Sequence, residues 1–213
     1  MELPSRDTYA IASHAVLAVQ PDGRVVVSGS VLVRLEADGA LDETFGTAGL
    51  ATGGEGAQAI AVASDGRIVL ARRTARPGEA AELVVERRSA DGALDPSFGG
   101  GGRTTVPLGR VGPAVAGVVE PIGLSLEDDG SILVATASGD DEGLREHATL
   151  VRLASDGTPD ATFGPGGRRV LALGRASSAL HAMARDADGA TLLVGRAHGD
   201  ASATSDMMAL RLR

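Results

Sequence analysis

The chain lacks several residue types on which protein chemistry commonly rests. It has no Cys, which excludes disulfides, thiolate nucleophiles and zinc–thiolate sites. It has no Lys, which excludes a Schiff base and a phosphate-loop lysine. It has no Asn and so no N-glycosylation acceptor. Trp is absent, and aromatics make up 2% of the 213 residues. A core must therefore be assembled from Ala, Val, Leu and Ile. With Tyr9 the one aromatic besides three Phe, a sugar site built on stacked rings is not expected. The net charge of −8 gives no long-range attraction to nucleic acid or anionic lipid. There is no run of about 18 apolar residues for a membrane-spanning helix, and the opening M-E-L-P-S-R-D-T-Y does not read as a signal peptide.

What is present is repetition. Asp38–Gly49 reads D-G-A-L-D-E-T-F-G-T-A-G, Asp91–Gly102 reads D-G-A-L-D-P-S-F-G-G-G-G, and Asp156–Gly167 reads D-G-T-P-D-A-T-F-G-P-G-G. All three share Asp-Gly, a second Asp four residues on, Phe-Gly, and a final Gly. Every Phe of the chain, Phe45, Phe98 and Phe163, lies in this motif. Self-similarity at this period marks a repeat architecture.

Each repeat reads as four strands. In the second, Gln58–Ser64 alternates with strand period, and Asp65-Gly66 signals a two-residue hairpin turn. Arg67–Arg72 and Glu82–Arg88 follow, on either side of a polar loop at 73–81. After the motif comes Arg103–Leu108, whose Pro107 suits an edge strand. The order recurs around Asp22-Gly23, Asp129-Gly130 and Asp188-Gly189. The first strands carry small residues on one face (Ala59 and Ala61, Gly123 and Ser125), which permits close approach of neighbouring backbones. The fourth repeat departs from the pattern, with Arg185 where the others place Val or Leu.

Four-stranded units of this length predict an all-β fold, a β-propeller of four four-stranded blades. The repeats run over roughly 14–52, 57–108, 120–173 and 179–213 of one domain spanning 1–213. The fourth repeat has three strands, and Asp7–Ser13 has the pattern of a lone fourth strand. Joining them would close the ring and remove two exposed edges. The alternative is an open arc cut from a longer propeller.

The spacing L-x-R-x-x-x-D-G-x-L-D-x-x-F-G-x-x-G, carried by Leu32, Arg34, Asp38, Gly39, Leu41, Asp42, Phe45, Gly46 and Gly49, resembles the delta-60 repeats of bacterial β-propellers. Pro159 departs from it in the third copy, and the fourth copy is truncated. The resemblance covers nearly the whole chain. It implies a propeller, commonly within large secreted or surface-associated bacterial proteins, and hence an extracellular or cell-surface setting. It implies no activity and supplies no catalytic residues.

The motif residues are expected to be structural. Phe45, Phe98 and Phe163 should pack between blades. Asp42, Asp95 and Asp160 should form turns by accepting backbone N–H bonds. Arg34, Arg87 and Arg152 should pair with those carboxylates, whereas Arg211 has no motif following it.

No catalytic constellation is legible. His14, His147, His181 and His198 are scattered, Gly139–Glu142 lacks the alternating spacing of a calcium loop, and Gly54-x-Gly56 precedes a strand rather than a helix. No metal or cofactor is expected. The informative feature is positional. The Asp-Gly hairpins and the motifs share one uniform face, while the loops between second and third strands lie on the other face and differ in every repeat. Variable loops on a regular scaffold are where binding usually resides. The candidate ligand-binding residues are therefore Gln58, Arg73, Arg76, Glu120, Asp140, Asp141, Arg145, His147, His181 and His198. The expected function is a non-catalytic scaffold, acting as a monomer, for a protein or small-ligand partner, with neither nucleic acid nor membrane insertion. The competing readings are an enzyme with an axial pocket using Gln58, Glu120 and His181, and a purely structural segment of a larger surface protein.

Overall fold

The computed structural model describes residues 15–74, 80–110, 123–139, 146–171, 177–186, 188–198 and 205–212. They form four antiparallel sheets, each a simple meander. The first sheet is β1 (Val16–Val19), β2 (Val25–Ser28), β3 (Leu32–Leu35) and β4 (Leu50–Ala51). The second is β5 (Ala59–Val62), β6 (Ile68–Thr74), β7 (Ala80–Arg88) and β8 (Arg103–Arg110). The third is β9 (Gly123–Leu126), β10 (Ile132–Gly139), β11 (Glu146–Leu153) and β12 (Arg168–Val170), and the fourth is β13 (Ser177–Arg185), β14 (Thr191–His198) and β15 (Ser205–Leu212). Asp7–Ser13, expected to close the ring, lies outside the described residues.

The Asp-Gly hairpins differ from expectation by one residue. Gln20 N–H bonds Arg24 O at 2.7 Å and Gly23 N–H bonds Gln20 O at 3.0 Å. The loop is thus three residues, a type I turn followed by a left-handed glycine, with Gly23 at φ 87°. The aspartate dictates this form. Its carboxylate accepts the N–H two residues on, as from Arg24 to Asp22 at 3.0 Å, Arg67 to Asp65 at 3.0 Å and Ser131 to Asp129 at 2.8 Å. That bond places the glycine inside the loop.

Two loops expected on the irregular face are shorter than their polarity suggested. Arg73 and Thr74 pair with Leu83 and Glu82, and Ser138 pairs with His147. The ladder continues because antiparallel backbone bonds do not depend on side-chain polarity. Pro107 does lie on an edge strand, opposite Glu82, where the register shifts.

Three apolar layers fill the spaces between successive sheets. Val26, Leu32 and Phe45 pack with Ile68 and Leu70. Val69, Leu83, Val85 and Phe98 pack with Ile132, Val134, Val151 and Leu153. Leu133 and Leu150 pack with Leu180 and Leu193. The first strands pack in chain order, β1 on β5, β5 on β9 and β9 on β13. Small residues make this approach possible: a Cβ added at Gly123 would lie 2.6 Å from the Cβ of Met183.

The second and third sheets thus bury both faces, and the outer two bury one. On the free face of the first sheet Leu17 and Val19 are 63% and 64% exposed, and on that of the fourth Met207 is 90% exposed. Leu192 and Val194 share that outer face and are also exposed. Among the described residues, no comparable packing returns from β13 to β1.

Candidate functional site

The Asp/Phe motif resolves into a fastening between consecutive sheets. Arg34 stands on β3 and Asp42 in the loop that follows. Arg34 Nε donates to Asp42 Oδ2 at 2.6 Å, and its Nη1 donates to the carbonyl of Ala90, in the turn of the next repeat, at 2.5 Å. The guanidinium lies 4.9 Å from the centre of the Phe45 ring. Asp42 accepts from Thr44 N–H at 3.0 Å and from the Thr44 hydroxyl at 2.5 Å. Beyond the ring sits Gly92, at φ 90°, where a Cβ would meet Phe45 Cζ at 2.8 Å. Gly46 N–H donates to Asp91 O at 2.8 Å. One repeat therefore holds the next repeat's Asp-Gly turn by a guanidinium, a ring and an amide.

The second motif repeats this geometry. Arg87 Nε donates to Asp95 Oδ2 at 2.8 Å and covers Phe98 at 4.7 Å. Its Nη1 donates to Ser155 O. Gly99 N–H donates to Asp156 O at 2.7 Å, and Gly157 lies on the Phe98 ring. The third motif is incomplete. Arg152 is 3.3 Å from Asp160 but turns back to Asp129, at 2.8 Å, within its own sheet. Phe163 is only half-buried, and Arg169 rather than Arg152 covers it, at 4.6 Å. Arg211 pairs with Asp186 at 2.7 Å and Asp188 at 3.2 Å. The expected pairing of the first three arginines with motif carboxylates holds. The bond to the following sheet was not legible, because it depends on how repeats stack.

These contacts set the acid–base behaviour of the face. Asp42 is lowered to about 2, chiefly by the Thr44 hydroxyl bond, with Arg34 adding to it against the cost of burial. Asp95 and Asp160 are lowered for the same reason, through the hydroxyls of Ser97 and Thr162. Arg185, the residue that broke the apolar pattern, reaches back to Asp128 at 2.8 Å and Leu126 O at 3.2 Å. It too is a fastening between sheets.

A second polar cluster was not foreseen. Glu86, Arg88 and Arg103 look like a solvated strand end in sequence. Instead Arg88 is 1% exposed, with its Nε donating to Glu86 Oε1 at 2.7 Å and Nη1 to Gly92 O at 2.7 Å. Arg103 Nε donates to the other Glu86 oxygen at 2.6 Å. Both carboxylate oxygens are engaged, the condition under which a buried ion pair is tolerated.

A cleft of about 430 Å³ opens among the hairpin turns of the second and third sheets, with Asp65, Arg67, Arg87, Asp128 and Arg185 in its wall. It lies on the uniform face, not the irregular one. Arg67 pairs there with Asp65 at 2.7 Å and Arg185 with Asp128 at 2.8 Å, while Glu127 Oε1 is buried in the same wall without a hydrogen-bond partner among the described residues. Among the described residues, no three His, Asp or Glu side chains converge as metal ligands.

Of the candidate binding residues, Arg76, Glu120, Asp140, Asp141 and Arg145 lie outside the described residues, as does His14. Gln58 is occupied in the fold, its Oε1 accepting from Arg73 N–H at 2.7 Å. Arg73 and His147 stand on strands rather than loops. His181 is exposed at an irregularity in the pairing of β13 with β14, between Leu180 and Ala182. His198 ends β14.

Residues 20–45 and 127–163 are similar to a family described as a β-propeller domain of unknown function. Each matched span runs from an Asp-Gly hairpin to a motif Phe, so the similarity rests on the fastening and its turn. No curated protein matches the chain.

Proposed function

We propose that this β-propeller domain is a non-catalytic scaffold that holds a protein or small-ligand partner on its irregular-loop face. The supporting observation is the division of labour between the two faces. On the uniform face, Arg34, Arg87, Asp42 and Asp95 are spent on one another and on the next sheet's backbone. On the other face, β6–β7, β10–β11 and β14–β15 run as long hairpins, while β2–β3 is short. Unequal stems on a regular base present unequal surfaces to a partner.

We also propose that the repeats are of the delta-60 type and that the ring has four blades. In this reading Asp7–Ser13 serves as the fourth strand of the last. The free apolar faces of the first and fourth sheets support this, since Leu17 and Val19 would then meet Leu192, Val194 and Met207. The absence of Cys makes the test clean. Spin labels on Ile11→Cys and Ala209→Cys should report one short, narrow distance; a long or broad distribution contradicts closure.

The binding face is tested by replacing residues 75–79, 140–145 and 199–204 with Gly-Ser linkers. Affinity capture should return a partner with the native protein and with a hairpin-face variant such as Asp22→Ser. The linker variant, melting at the same temperature, should lose it. A partner retained by the linker variant contradicts the proposal.

A further inference from the structure

The fastening occurs complete at two of the three sheet junctions, and its third copy is open. At the first junction Arg34, Phe45 and the Gly46 N–H hold the turn Ala90-Asp91-Gly92. At the second, Arg87, Phe98 and the Gly99 N–H hold Ser155-Asp156-Gly157. In each case the turn held belongs to the loop that follows the third strand of the next sheet. The equivalent groups of the third repeat are Arg152, Phe163 and the Gly164 N–H. Among the described residues that amide has no acceptor.

A cleft of about 340 Å³ lies beside these groups, walled by Glu127, Arg152, Thr162, Phe163, Arg169 and the end of β15 at Leu212. Leu212 is the counterpart of Leu153, two residues before Ser155 in the turn that fills the second junction. The cleft thus has the shape and chemistry of a site whose occupant is visible twice in the same molecule. Its parts are the guanidinium of Arg152, which must turn from Asp129 and Ser131 to meet a carbonyl, a half-buried ring with room for a residue lacking Cβ, and, next to the ring's own residue, the Gly164 N–H for the carbonyl of the Asp. Arg169 sits where Thr104 donates to Gly157 O at 2.7 Å, so its guanidinium can serve the carbonyl of the glycine.

We propose that this cleft is a binding site for a peptide turn of the Ala/Ser-Asp-Gly type, carried by a segment bearing a fourth copy of the motif. The glycine is the specificity element. At φ near 90° and in contact with the ring, any side chain would clash, as a Cβ at Gly157 would at 2.9 Å from Phe98.

Two arms test this. In one, a synthetic peptide with the sequence of Ser89–Gly102 is titrated into the 213-residue protein, and the Gly164 amide is followed by NMR. Saturable shifts are expected, weakened about tenfold or more by Phe163→Ala in the protein or Gly92→Val in the peptide. In the other, Ala90–Gly102 is appended after Arg213. Melting should rise by roughly 3–6 °C, and Arg152→Ala should abolish the rise. Binding of the free peptide shows the site open to another chain, and a rise only in the appended protein shows it selective for a continuous one. The proposal is overturned if the Gly164 amide does not move and the appended protein melts with its Gly92→Val counterpart.

Discussion

The guanidinium of Arg34 bridges two sheets, with Nε 2.6 Å from Asp42 in its own repeat and Nη1 2.5 Å from the carbonyl of Ala90, 56 residues on, in the next. That single side chain states the role of the motif. Asp42 fixes the arginine, the arginine covers Phe45, and both hold the following repeat. A stretch rich in Asp and Gly with a lone aromatic looks like a site in isolation. Its chemistry is spent on holding the sheets in sequence.

The three phenylalanines should then differ. Phe98 is fully buried under Gly157, and Phe98→Ala should cost about 3–5 kcal/mol. Phe163 is half-buried beside an open cleft, and Phe163→Ala should cost about 1–2 kcal/mol. Urea unfolding of the two variants checks the order; equal losses would mean that the third motif is as tightly closed as the second.

Arg87 and Asp95 should be energetically coupled. The pair is charge-assisted and largely shielded, and Arg87 also serves Ser97 Oγ at 3.1 Å. A double-mutant cycle with Arg87→Ala and Asp95→Ala should return about 1–3 kcal/mol of coupling. Additive losses would show that the arginine acts only through Phe98 and Ser155.

Acid should undo the fastenings. Asp42, Asp95 and Asp160 are all depressed in the folded protein, Asp42 to about 2. In the unfolded chain an aspartate titrates near 4, at about 3.9. A depressed folded value means that the unfolded state binds protons first as pH falls. The contribution is therefore complete above about pH 4 and is lost between about pH 4 and pH 2. Removing the leading cause with Thr44→Val should shift the acid-unfolding midpoint upward, as followed by circular dichroism. An unchanged midpoint would mean that Asp42 stays charged through Arg34 alone.

Much of this was legible in the sequence, for physical reasons. Ala59–Val62 alternates because Ala59 faces the third sheet while Ile60 and Val62 face the first. Asp-Gly marks a turn because the carboxylate accepts locally and the glycine takes positive φ. Those are short-range rules, and they located the strands, the hairpins and the Arg–Asp pairs. The turn length escaped by one residue, since Asp-Gly serves two-residue and three-residue loops alike. Three things depend on stacking and left no local trace: the bond from Arg87 to Ser155, the burial of Arg88 against Glu86, and the reach of Arg185 to Asp128. Loop polarity does not reveal where a ladder ends, so Arg73 and His147 stand on strands. Gln58 and Arg73 proved to be bound to each other.

The central claim is that the motif of one repeat grips the turn of the next, and the contact between Phe45 and Gly92 tests it most directly. Gly39 and Gly92 occupy the same place in the turn, at φ 87° and 90°, but Gly39 has nothing within 4 Å of an added Cβ. Gly39→Ala should cost about 1 kcal/mol, the strain of the left-handed backbone alone. Gly92→Ala should cost clearly more. The decisive measurement is the Phe45→Ala, Gly92→Ala cycle by denaturant unfolding. If the ring grips the turn, Gly92→Ala should cost clearly less once Phe45 is removed, the remainder being backbone strain and the contact with the Ala51 Cβ at 3.0 Å. If Gly92→Ala costs the same with and without Phe45, the two repeats are not joined by this contact and the account fails.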